Sequence, residues 1–227
     1  SIKAEGFKTA CASVSFLIPL SEDASVYALI PNILTRSSEK YPTVTLLEKK
    51  LATLYGAEIS ADVSKQGENQ VLKLVVSCID DRFALDKESI VAECCKLLFE
   101  LIFNPKLVNG AFDADEVESE KRLLAEQLGA EMSNKRVYAK TRLEEIMFKD
   151  ELYGINRLGT VEEINAITKE RLTEYYKKLL KTATVLVCVS ANGTVDTEKI
   201  EALFESYANG LERAPLKNET LYVEAAE

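Results

Sequence analysis

The residues in this chain best suited to chemistry are carboxylates. Asp113, Asp115, Glu116, Glu118, Glu120, Glu126 and Glu131 fall in one short stretch. Glu116 and Glu120 are four apart and so share a face of any helix formed there. Two carboxylates placed that way could divide acid and base roles or hold a hard cation. The same spacing, with Lys121 and Arg122 interleaved, also describes a solvated helix face. The chain contains no histidine. Its own residues therefore exclude Ser-His-Asp and Cys-His nucleophiles, imidazole acid–base chemistry and His-ligated zinc.

Other candidates are weaker. The five cysteines, Cys11, Cys78, Cys94, Cys95 and Cys188, are odd in number and form no C-x-x-C pair. They read as buried reduced thiols of a cytoplasmic protein, with a metal or redox site as the alternative. Tyr175-Tyr176-Lys177-Lys178 could bind a ligand, or its tyrosines could pack a core edge while the lysines face water. The loop YGINRLGT, residues 153–160, follows no strand and lacks the glycine spacing of a phosphate cradle. Neither S-x-x-K nor G-x-S-x-G is present.

Hydrophobic periodicity places these groups on elements. Residues 7–20 alternate as a strand, with Ala10, Ala12, Val14, Phe16 and Ile18 on one side. A helix is expected over 22–36, capped by Ser21, with Val26, Leu29, Ile30, Ile33 and Leu34 on its apolar face. Pro31 lies inside it, where a missing N–H and a steric clash cost about 3 kcal/mol. Thr43 opens a second helix on Leu46, Leu47, Leu51, Leu54 and Tyr55, closed by Gly56. Strands at 58–64 and 70–78 flank a turn at 65–69, and the second is apolar enough to be central. Asp86 is expected to cap a helix ending at Asn104-Pro105. Asp113 with Glu116, and Thr160 with Glu163, read as capping boxes, the former opening a helix over 114–132. Helices over 134–148, from Thr168 and over 197–209, and a buried strand at 183–190, complete the reading.

This order does not alternate strand and helix strictly. It favours an α+β fold, a mostly antiparallel sheet with helices packed on one face, over a doubly wound sheet. The 227 residues, 47% apolar and 29% charged, suit an ordinary globular domain. Residues 1–214 read as one domain and 215–227 as a linker or tail. A net charge of −9 without a basic cluster argues against nucleic acid and anionic membrane as main partners. No run reaches the roughly 18 apolar residues of a membrane span. A cytoplasmic location is expected.

Several signatures, in order, resemble the insulinase (M16) zinc-peptidase family. FKTACASVSFLIPLSEDAS resembles its opening strand and turn, and SSEKYPT its loop after the first helix. LEKKLATLYGAEISADVSKQGENQVLKLVV resembles its helix–hairpin region. FDADEVESEKRLLAEQL, YAKTRLEEIMFKDELYG, GTVEEINAITKERLTEYYKKL and TVLVCVSANG resemble its later helices and final strand. The resemblance covers nearly the whole chain and implies the M16 peptidase-like (LuxS/MPP-like metallohydrolase) fold. It also implies that the chain is the N-terminal half of a longer protein, nearest to bacterial members that occur as one catalytic and one non-catalytic partner.

In active relatives the first helix carries H-x-x-E-H. Its histidines bind zinc and its glutamate activates the metal-bound water. Aligning through SSEKYPT puts Ala28 and Asn32 at the histidine positions and Pro31 at the glutamate. The third ligand, a glutamate on a later helix, falls at Gln127, with Glu126 or Glu120 as other counterparts. No metal and no cofactor are therefore expected here, although zinc is in active relatives. The resemblance implies a catalytically inactive subunit or domain that pairs with a second M16-type domain, an active zinc-bearing homologue, around an extended peptide. The alternatives are a structural assembly subunit, and an active metallopeptidase using a residual acidic site at Glu116, Glu120 and Glu126.

Overall fold

The computed structural model describes residues 7–85, 88–192 and 196–214. The expected cap Asp86 and the expected tail 215–227 lie outside the described residues. Among those described, four strands and eight helices follow one another. They are β1 (Thr9–Pro19), α1 (Ala24–Leu34), α2 (Val44–Thr53), β2 (Glu58–Gln66), β3 (Asn69–Ile79), α3 (Ile90–Phe103), α4 (Ala114–Ser133), α5 (Lys135–Met147), α6 (Val161–Asn165), α7 (Lys169–Thr182), β4 (Thr184–Ser190) and α8 (Thr197–Ala208). No helix among the described residues is long and apolar enough to cross a membrane.

The strands form one antiparallel sheet in the order β2-β3-β1-β4. Alternation sends Ala10, Ala12, Val14, Phe16 and Ile18 of β1 to the same side as Leu72, Leu74, Val76 and Cys78 of β3. All nine lie in the hydrophobic core with the inward residues of α1, α3 and α7. The fold is thus the expected α+β arrangement, with helices covering one face. The β2–β3 connection is tighter than expected. Both strands run on to Gln66 and Asn69, leaving Gly67-Glu68 as a two-residue loop with Gly67 at φ +56°.

Helix α1 differs most from its expected form. A one-sided apolar stripe was expected, but every residue except Asn32 is buried. Sheet strands β2 and β3 lie against it, and so do α4, α6 and α7. Pro31 sits inside a continuous helix from Ala24 to Leu34. Burying a Val, Leu or Ile gains about 1.5–3 kcal/mol each, so Val26, Leu29, Ile30, Ile33 and Leu34 together outweigh the proline's cost. The cap is Asp23 rather than Ser21, whose hydroxyl accepts from the Asp23 N–H one step earlier.

Other expectations shift for local reasons. Leu46 of α2 is exposed, while Leu47 and Leu51 take the buried face of the helix. Strand β4 is an edge strand, so its expected full burial fails: its residues alternate between exposed and half-buried, and Leu186 and Cys188 face outward. Asp113 caps α4 alone, accepting from the Asp115 and Glu116 N–H groups. The expected reciprocal bond is missing because the Glu116 carboxylate turns to Ser37 and Lys106. The Thr160–Glu163 box forms in both directions.

The thiols divide by position. Cys78, Cys94 and Cys95 are buried between β3 and α3, whereas Cys188 is exposed. The hydrogen bond that the Cys94 thiol donates to Cys78, together with burial, pushes Cys94 upward, and burial pushes Cys95 up to about 12. In native protein at neutral pH, Cys188 is expected to react with Ellman's reagent, and Cys78, Cys94 and Cys95 only after unfolding in urea. Equal rates for all the thiols without denaturant would contradict this core.

Candidate functional site

The positions singled out on α1 and α4 lie on helices that touch each other. Ala28 is fully buried within the core and Pro31 is also buried. Asn32 is the one position of α1 that reaches partial exposure. None of the three supplies a strong metal donor or a general base: a methyl group, a pyrrolidine ring and a neutral amide.

Glu120 projects from α4 with 6% of its surface exposed. Its Oε1 accepts a hydrogen bond of 2.5 Å from the guanidinium of Arg36. Arg36 lies four residues beyond Asn32, just past the C-terminal end of α1. The carboxylate that α4 turns toward α1 is thus neutralised by a fixed cation of the chain itself. One turn earlier, Glu116 accepts from Ser37 Oγ at 3.0 Å and from Lys106 Nζ at 3.3 Å. Lys106 also lies 3.7 Å from Asp113. The Glu116 N–H, together with that of Asp115 and with Lys106, holds the Asp113 carboxyl below the usual range against the effect of burial. The cluster binds the loop after α1, the loop after α3 and the start of α4 into one knot.

Glu126 and Gln127 are placed elsewhere. Both are exposed, and Glu126 is 3.9 Å from Arg122 on its own helix. Glu116 and Glu120 are therefore brought together beside α1, and Glu126 is not brought to them. Among the described residues no three His, Cys, Asp or Glu side chains converge in a way that could hold a metal ion. The residues here do not fit a zinc centre: the available carboxylates are already engaged by Arg36 and Lys106.

Neither Arg36 nor Lys106 stands out in the sequence. The one available signal is the place of Arg36 just past the C-terminal end of α1. Lys121 was read as part of a solvated face, but it is buried and donates to Glu118 and to the Ile167 carbonyl. Its ammonium bridges α4 to the turn before α7. Tyr176 is buried, its hydroxyl donating to the Ile102 carbonyl at 2.8 Å, and burial raises its phenol above the ordinary range. Tyr175 packs edge-on against Tyr27 at 5.2 Å. These tyrosines pack a core edge. The loop 153–160 is likewise a clamp: Arg157 bonds the Val63 carbonyl and Glu131, and Gln70 donates to the Arg157 and Ala24 carbonyls. Gly159, at φ +71°, lies so close to Ser25 that a β-carbon would approach it to 2.5 Å.

No protein-family model matches the chain. It is similar to the probable inactive metalloprotease YmfF of Bacillus subtilis (strain 168), with 30% identity over 213 residues, covering 93% of this chain and 50% of that protein. The crystal structure of a conserved protein from Enterococcus faecalis V583 matches with a TM-score of 0.82 at 29% identity, over 94% of this chain and 49% of that one. The inactive domain of a peptidase M16 from Pseudomonas fluorescens shares the fold, with a TM-score of 0.68 at 16% identity over 96% of this chain and 49% of that one. The chain spans about half the length of these proteins.

Two substitutions probe the geometry. Glu120→Ala is expected to lower stability by about 1.5–3 kcal/mol, since it removes a charged hydrogen-bond partner and strands Arg36; urea unfolding would read this as a lower midpoint. Ala28→His forces a large side chain into a closed site and is expected to cost about 1–3 kcal/mol. An unchanged midpoint for either variant would mean that α1 and α4 do not pack as described. The chain thus has the M16 peptidase-like fold and is similar over nearly its whole length to a probable inactive metalloprotease, and its sequence contains no H-x-x-E-H.

Proposed function

We infer that this domain does not cut peptides by itself and works as the non-catalytic member of a pair. The observation that supports this reading is the apolar packing and ion pairing at the positions that the resemblance aligns with the zinc motif. Where H-x-x-E-H would stand, α1 presents Ala28, Pro31 and Asn32, and the carboxylate opposite is tied to Arg36. A buried carboxylate with a bound guanidinium has no need of a metal ion for charge balance. The domain binds no catalytic zinc. Its counterpart is a second M16-type domain or subunit, an active homologue carrying the intact motif, and the two faces enclose an extended peptide. The naming of the Bacillus subtilis relative as a probable inactive metalloprotease supports the non-catalytic half of this reading.

Metal analysis tests it directly. Protein purified without chelator and dialysed against micromolar zinc is expected to retain fewer than about 0.1 zinc per chain and to leave unstructured peptides uncut. Stoichiometric zinc together with peptide hydrolysis by this chain alone would overturn the reading.

A further inference from the structure

Residues 129–157 run without one buried side chain. The stretch holds the last turn of α4, all of α5 and a one-turn helix at Leu152–Gly154. Buried Leu128 and Leu158 bracket it. None of its apolar side chains packs against the hydrophobic core. Helix α5 packs chiefly on its own neighbours in sequence, α4 and the one-turn helix. A helix is ordinarily held on a domain by the apolar face it buries. Here polar contacts take that place.

Those contacts converge on β2, and two cations make most of them. Lys65 of β2 donates through Nζ to Glu144 of α5 and to the Tyr153 carbonyl, both at 2.8 Å, and lies 4.1 Å from the centre of the Tyr153 ring. Arg157 donates from Nε to the Val63 carbonyl of β2 at 2.8 Å and from its terminal nitrogen to Glu131 at 2.6 Å. Gln70 of β3 donates to the Arg157 carbonyl at 2.6 Å. Strand β2 is an edge of the sheet, so one of its sides has no strand partner. The stretch also has a joint. Asn134, at φ −80° and ψ 102°, ends α4 and caps α5, its side chain accepting from the Arg136 and Val137 N–H groups. One non-helical residue thus divides what would otherwise be a single rod.

We propose that residues 129–157 are a latch, pinned to the edge strand β2 by Lys65 and able to swing away about Asn134 while the rest of the domain stays folded. Lys65 is the pin because it joins α5, through Glu144, to the one-turn helix, through the Tyr153 carbonyl. Phe148 and Tyr153 pack edge-on at 4.8 Å, so α5 and the one-turn helix move as one body. Opening breaks charged hydrogen bonds and little apolar packing, so it takes far less free energy than global unfolding. The Lys65 and Glu144 side chains are only 13% and 20% exposed, so salt screens the pin weakly and a substitution is the sharper probe. What the latch governs is access to β2.

Native-state hydrogen–deuterium exchange of the whole chain, followed as urea is raised below the unfolding transition, tests the latch. The amides of α5 are expected to exchange together, through one opening with a weaker urea dependence than that of β1, β3 and α3. Lys65→Met keeps most of the stem and removes the ammonium. It is expected to speed α5 exchange about tenfold, the loss of roughly one charge-assisted hydrogen bond, and Lys65→Arg, which keeps a cation, to restore most of the protection. Ile102→Val trims a fully buried core residue of α3. It is expected to speed exchange of β1 and α3 about threefold to tenfold and to leave α5 unchanged, because the open latch keeps the core intact. Exchange of α5 in step with β1 and α3, with the same urea dependence, would overturn the latch. So would an Ile102→Val variant that speeds α5 as much as the core, since α5 would then open only with the whole domain. Unchanged α5 exchange in Lys65→Met would remove the pin and the proposal with it.

Discussion

Helix α1 has almost no solvent side, and the structure is arranged around that constraint. A helix enclosed by a sheet below and by α4, α6 and α7 around it must be apolar, or must satisfy every polar group it carries. Ala28, Leu29 and Ile30 meet the first condition. Such a position can carry histidine and glutamate only if something in the interior, such as a metal ion, compensates them. Without that compensation small and apolar residues are the stable choice, and Pro31 is held by packing on all sides.

The same constraint explains the polar knot at the end of α1. The chain leaves the core at Thr35, and Arg36, Ser37 and Ser38 must turn it back toward α2. Ser37 and Ser38 are buried there, so their groups need partners: Ser37 donates to Glu116, and the Ser38 hydroxyl accepts from the Tyr41 N–H. Glu120 and Arg36 complete the set. The carboxylates on this face of α4 thus have a structural task, which accounts for their presence without assigning them chemistry. The periphery follows a different rule: α5 is fixed by Lys65 and its partners instead of by apolar burial, so its apolar side chains are left outward.

Much of the fold was legible in the residues. The alternation of β1, the caps Thr43, Asp113 and Thr160, and the stop at Asn104-Pro105 are local signals, set by side chains within a few positions of the backbone groups they satisfy. The lack of histidine decided at once which chemistries this chain's own residues could support. What was not legible depends on neighbours distant in sequence. Arg36 meets Glu120 across 84 positions, and Tyr176 meets Ile102 across 74. Leu186 has the same apolar character whether β4 is central or at an edge. Lys121 and Glu126 look alike as charged helix residues, yet one reaches a buried carbonyl and the other faces water.

The sequence by itself therefore determined the elements, their approximate ends and the absence of H-x-x-E-H, because each of these is a property of nearby residues. The tertiary structure decided which carboxylates face a cation, that α1 is enclosed except at Asn32, that β4 lies at an edge, and that α5 leaves Leu143, Ile146 and Met147 exposed. Those outcomes depend on which surfaces the folded chain presses together, and no local pattern carries that information.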